Sequence, residues 1–164
     1  DGTDTLEDVF LPERLDVVAL LQRYKAYLDS LRDAGRDPFR DQPMRADFQL
    51  PEAVGHFHLY AWLLQATGRE CSITPEFPTG NGKVDLRILH RGQTVLVEVK
   101  SLAAGRELPR ARAQAAKYAA QQGLTEATLV LFVPTKRPEL LATFEGSTEV
   151  DEVQVHVVAV SWRP

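Results

Sequence analysis

Apolar residues Leu15, Val18, Ala19, Leu21, Tyr24, Leu28 and Leu31 recur at steps of three and four with charges between them, and predict an amphipathic helix over residues 12–34. Pro12 suits its first turn and Gly35 its end. Residues 35–50 keep neither a helical nor a strand period; two prolines and scattered Arg and Asp mark a connecting loop. A second helix is predicted over residues 51–67, from Pro51 to a stop at Gly68. Val54, Phe57, Leu59, Tyr60, Ala61, Leu63 and Leu64 make much of its circumference apolar, so it should lie buried against a sheet. Residues 71–78 predict a short strand that Pro75 and Pro78 confine to an edge. After the flexible Gly80-Asn81-Gly82, two strands joined at Arg91-Gly92 run to Lys100. The alanine-rich residues 108–122 predict a helix whose small face, Ala111, Ala115, Tyr118 and Ala119, can approach a sheet closely. Residues 128–134 form the continuous apolar run of a strand covered on both faces, and residues 153–160 read as one more strand. Between these two, residues 136–150 predict a short helix around Pro138 to Phe144 and a polar loop. The order makes an α/β domain: a mixed central sheet flanked by helices, with an extra N-terminal helix. Residues 1–50 divide off as that helix and its connecting loop, and residues 51–164 as the domain proper.

Composition narrows the function classes. The chain has 164 residues, 44% hydrophobic and 26% charged, which fits one globular domain with a core. A net charge of −4 supplies no global basic field, so any nucleic-acid surface must be local. Arg36, Arg40 and Arg45 in the loop are candidates for phosphate contacts, but their alternation with Asp favours an ordinary solvated surface. The lone Cys71 cannot form an internal disulfide, which points to a reducing compartment, and no apolar run is long enough to span a bilayer. The expected location is the cytoplasm. A chain that opens on Asp1 reads as a piece of a longer protein.

The candidate chemistry lies in the hairpin. With Arg91-Gly92 as a two-residue turn, position 90 faces 93 and Asp85 faces Glu98; a three-residue turn would shift the register by one. Facing residues of an antiparallel pair share a side at about 4.5–5.5 Å between Cβ atoms, where like charges destabilise a sheet. Lys100, two positions beyond Glu98, belongs to the same side. A divalent metal would reward that convergence. On the preceding helix Glu52 and His56 are four apart and share a face near the N-terminus; an N-terminal carboxylate and a hydrogen-bonded core histidine are the plainer account of both. On the following helix Arg110, Gln114, Lys117 and Gln121 make a polar, basic stripe that would by default face solvent. No helix directly follows Gly80-Asn81-Gly82, which excludes a P-loop.

Asp85 on one strand, Glu98-Val99-Lys100 on the next, and Gln114-Ala-Ala-Lys-Tyr118 on the following helix resemble the PD-(D/E)XK nuclease superfamily over residues 51–133, in its branch with a Gln-x-x-x-Tyr motif. Val84 precedes Asp85 where proline is common in that superfamily. The resemblance implies a restriction-endonuclease-like core and metal-dependent phosphodiester hydrolysis, with DNA favoured as the substrate and RNA left open. It implies Asp85, Glu98 and the Val99 carbonyl as ligands to Mg²⁺ or Mn²⁺, with Glu52 or His56 completing the set. Lys100 would orient water or neutralise charge, Gln114 and Tyr118 would hold the phosphate, and Arg110 and Lys117 would touch the nucleic-acid backbone. The partners implied are DNA and an ATPase or other domain of a defence or repair protein, with a homodimer as an open assembly. Two alternatives stand beside this reading: a nuclease-like fold kept as a non-catalytic binding or interaction module, and a purely structural cluster of Asp85, Glu98 and Lys100.

Overall fold

A computed structural model describes residues 6–76, 85–102 and 104–163, with Glu76 and Asp85 by backbone alone. The Gly80-Asn81-Gly82 turn and the end of the strand expected over residues 71–78 lie outside the described residues. The chain is α/β. In order it forms α1 (Val17–Asp33), α2 (Glu52–Thr67), β1 (Ser72–Glu76), β2 (Asp85–His90), β3 (Gln93–Ser101), α3 (Leu108–Gln121), β4 (Glu126–Val133), α4 (Pro138–Phe144), β5 (Gly146–Val150) and β6 (Val153–Ser161). The strands build a six-stranded sheet in the order β1-β2-β3-β4-β6-β5. It is mixed: β1, β2 and β3 are antiparallel, β3, β4 and β6 run parallel, and β5 returns antiparallel to β6.

Alternation along the strands divides the core into two layers. Val97, Val99, Val130, Phe132, Val158 and Val160 meet Leu20, Leu21, Tyr24 and Leu28 of α1 and Leu59 and Leu63 of α2. Leu96, Leu129, Leu131, Val155, Val157 and Ala159 meet Ala111, Ala115, Ala116 and Ala119 of α3 on the other face. β4 is covered on both sides, as its unbroken apolar run predicts; all its residues after Glu126 are buried. Pro75 sits in β1, an edge strand paired only with β2, where a missing N–H leaves no ladder bond unmade on the inner side of the sheet.

Two boundaries differ from the sequence pattern. α1 begins at Val17 rather than near Pro12, because Asp16 is the N-cap: its carboxylate accepts from the Ala19 N–H at 3.0 Å. Residues 12–15 instead belong to a turn closed by an antiparallel bridge between Phe10 and Leu15. The second half of the polar loop expected over residues 136–150 is a strand, β5. Its side chains are mostly exposed, so no alternation betrays it, and its turn uses Asp151 and Glu152 at φ 48° and 66° in place of the usual glycine.

α2 lies close on the sheet through Gly55. A Cβ there would stand 2.6 Å from the ring of Phe132, which is fully buried and has nowhere to move. Gly→Ala inside a helix is ordinarily stabilising by up to about 1 kcal/mol. Here overpacking, at about 1–3 kcal/mol, outweighs that gain. Gly55→Ala should therefore lower the urea midpoint, and Gly55→Ala combined with Phe132→Leu should recover part of the loss; a midpoint raised by the single substitution would contradict the close approach.

Under α1, the Tyr24 hydroxyl lies 2.8 Å from His58 Nδ1 in an aromatic group with Trp62 and Phe39. Burial raises the Tyr24 phenol far above its usual range, so it keeps its proton and shares a hydrogen bond with the imidazole. Burial first, and the nearby Arg32 second, hold His58 below its ordinary value of about 6.5. The unfolded chain therefore takes up that proton more readily. Stability from this group is complete above about pH 6.5 and is lost as pH falls through the lowered folded value. The thermal midpoint should drop between pH 7 and pH 5, and the drop should be shallower in His58→Gln; parallel profiles would remove His58 as the cause.

Candidate metal centre

Arg91 and Gly92 both adopt left-handed backbone, at φ 46° and 81°, which makes the two-residue turn whose twist matches its flanking strands. That turn sets the ladder: His90 pairs with Gln93, Ile88 with Val95, Leu86 with Val97, and Asp85 with Glu98. Because Val97 and Val99 belong to the α1–α2 layer, Leu96, Glu98 and Lys100 stand on the α3 face. Glu98 is 1% exposed. In the parallel ladder it neighbours Leu129, and Lys100 neighbours Leu131, so the charges sit among aliphatic side chains. Lys100 Nζ lies 3.5 Å from Glu98 Oε1, with 16% of the lysine side chain exposed. The spacing is longer than a charge-assisted hydrogen bond. Attraction across it is strengthened by the dry surroundings.

Around this pair the structure gathers some residues and spaces others. Glu52, in the first turn of α2, accepts a hydrogen bond from the Ser101 N–H at 3.4 Å, one residue beyond Lys100. His56, one turn further along α2, is buried in the layer between that helix and the sheet, on the face away from Glu98. On α3, Gln114 and Tyr118 are half-buried along one edge of the alanine face, whereas Arg110 and Lys117 are exposed. Two contacts escape sequence reasoning, although Arg45 itself stands among the loop arginines considered for phosphate contact. Arg87, which shares the α3 face of β2, donates to Gln122 Oε1 at 2.7 Å and ties the hairpin to the end of α3. Arg45, from the loop before α2, donates to the Ser101 carbonyl at 3.4 Å. Neither has a local signal, since each partner is distant in sequence.

Among the described residues, no three His, Cys, Asp or Glu side chains gather at metal-ligating spacing. The grouping suggested by the hairpin includes Asp85, whose side chain is outside that set. What remains, a buried carboxylate facing a second acidic register position with the Val99 carbonyl between Glu98 and Lys100, is an oxygen donor set suited to a hard divalent cation.

A family model described as a domain of unknown function (DUF8371) matches residues 52–136, from the first turn of α2 to just past β4. No curated protein and no solved structure matches the chain.

Like charges at facing positions of an antiparallel pair are destabilising, and the register pairs position 85 with Glu98. In metal-free buffer Asp85→Asn should raise the thermal midpoint by about 2–4 °C, the equivalent of about 1 kcal/mol for a chain of this size. A lower midpoint in calorimetry would mean that Asp85 serves the fold rather than a ligand.

Proposed function

The chain belongs to the DUF8371 family, and we propose that the β2–β3 hairpin within its matched segment is the metal site of a nuclease that hydrolyses phosphodiester bonds in DNA. The observation that carries this reading is the register that sets Asp85 opposite Glu98, with Lys100 paired to Glu98 on the same face. The order α2, β1, β2, β3, α3, β4, with antiparallel β1–β2–β3 and parallel β3–β4, supports a restriction-endonuclease-like core. The helix that follows β3 brings the Gln-x-x-x-Tyr positions, Gln114 and Tyr118, to the face on which Glu98 stands.

Asp85, Glu98 and the Val99 carbonyl would hold Mg²⁺ or Mn²⁺, and Glu52, fastened at the end of the same strand, would add a further carboxylate. His56, one turn further along α2, stays buried on the other face of the sheet from Glu98. Such an ion polarises a phosphoryl oxygen and acidifies a bound water. Lys100 offsets negative charge, on Glu98 at rest and on the phosphoryl oxygens as they become more negative. Its partly exposed side chain lets it serve both. Gln114 and Tyr118 position the phosphate by hydrogen bonds, and the exposed Arg110 and Lys117 hold neighbouring phosphates, which orients the strand without reading its sequence. With a negative net charge, this contact rests on local cations rather than on a global basic field.

Purified protein given Mg²⁺ or Mn²⁺ should cut DNA, and Asp85→Ala, Glu98→Ala and Lys100→Ala should each reduce the rate by about 10²-fold or more. Circular dichroism should show the three variants folded. Should single- and double-stranded DNA and RNA all remain uncut above the Lys100→Ala control with either ion, the nuclease reading is lost.

A further inference from the structure

Phe48 is 74% exposed and sits at φ 60°, a left-handed conformation that is an outlier for a bulky side chain. Strain of this kind persists only where the surroundings enforce it. They do so here. Phe48 N–H donates to the Arg45 carbonyl and Arg45 N–H to the Gln49 carbonyl, each at 2.9 Å. Asp47 accepts from the Gln49 N–H at 3.2 Å and from Arg45 Nη2 at 2.9 Å. Two residues later Leu50 is completely buried. The loop thus anchors one apolar side chain in the core while its own hydrogen bonds hold a large aromatic ring in water. Covering that ring would be favourable by itself.

The loop is also fastened to the candidate site. Arg45 Nη1 donates to the Ser101 carbonyl, and Glu52 accepts from the Ser101 N–H, so both grip the residue that follows Lys100. The guanidinium therefore stands at the end of β3, the turn that carries Phe48 closes on the same Arg45, and Arg45 is itself substantially exposed. An exposed aromatic ring and a cation carried on one tight turn suit an unpaired nucleobase with its phosphate: the ring stacks any base, and the guanidinium meets the negative charge. A protein partner would ask for a wider apolar surface than one ring on a turn that also carries Arg45 and Asp47.

We propose that Phe48 is a stacking platform for an unpaired base next to the scissile phosphate, with Arg45 on the adjoining phosphate, so that the protein engages single-stranded or frayed ends. This rests on the phosphodiesterase reading of the hairpin. The test is fluorescence anisotropy of the full chain, with Ca²⁺ present, against a labelled single-stranded DNA 15-mer and a blunt duplex of the same sequence. Phe48→Ala should weaken single-strand binding about tenfold or more and leave duplex binding within about twofold. Phe48→Trp should keep the affinity, and the emission it adds should be quenched on binding. An unchanged single-strand affinity in Phe48→Ala, an equal loss on the duplex, a change in oligomeric state by light scattering, or no binding of single strands by the wild type would each overturn the platform. The underlying reading fails separately: Phe48-dependent single-strand binding without Mg²⁺- or Mn²⁺-dependent cutting keeps the platform and removes the nuclease.

Discussion

The chemistry assigned to this protein depends on the register of one hairpin. A strand slipped by one residue would turn Glu98 and Lys100 towards α1 and α2 and bring Val97 and Val99 to the α3 face, because side chains alternate with a period of two. Two constraints prevent this. Arg91 and Gly92 together form a turn that admits only the observed pairing, and Leu86, Ile88, Val97 and Val99 are all buried in one layer. The hydrophobic energy of that layer therefore holds two acidic positions opposite each other. Neither constraint involves the acids themselves, and that independence makes the juxtaposition informative.

The costs are concentrated around the same strand. Glu98 is enclosed beside aliphatic residues, Lys100 is drawn in with it, and the loop that reaches Ser101 carries a strained phenylalanine. Such features lower stability and are retained where a ligand rewards them. Away from this region the packing is conventional: β4 is covered on both faces, α3 meets the sheet through alanines, and Gly55 lets α2 rest on Phe132. A large, evenly buried sheet supplies the stability against which a locally unfavourable strand can be held.

The same contrast explains which features can be read before folding. Helices α1 and α3 and strands β3, β4 and β6 carry strong hydrophobic periods or runs, and their side chains alone dictate which face is buried. α2 does not: Phe57 and Leu64, expected against the sheet, are exposed, while His56 and Thr67 are buried, because a helix apolar around most of its circumference leaves the choice of face to packing. Asp85, Glu98 and Lys100 could be placed together because only a two-residue turn separates their strands. The start of α1 was decided by a single carboxylate, Asp16, rather than by periodicity. β5 carries no apolar pattern, and its antiparallel pairing with β6 brings it into the sheet.

From sequence alone come the α/β class, the hairpin, its register and the charges upon it, since all rest on local turn chemistry and side-chain alternation. Tertiary structure alone decides that Glu98 is dry, that Arg87 is tied to α3, and that Arg45 and Glu52 converge on Ser101. Those contacts join residues tens of positions apart through packing on opposite faces and ends of one sheet, and no local pattern encodes such a meeting.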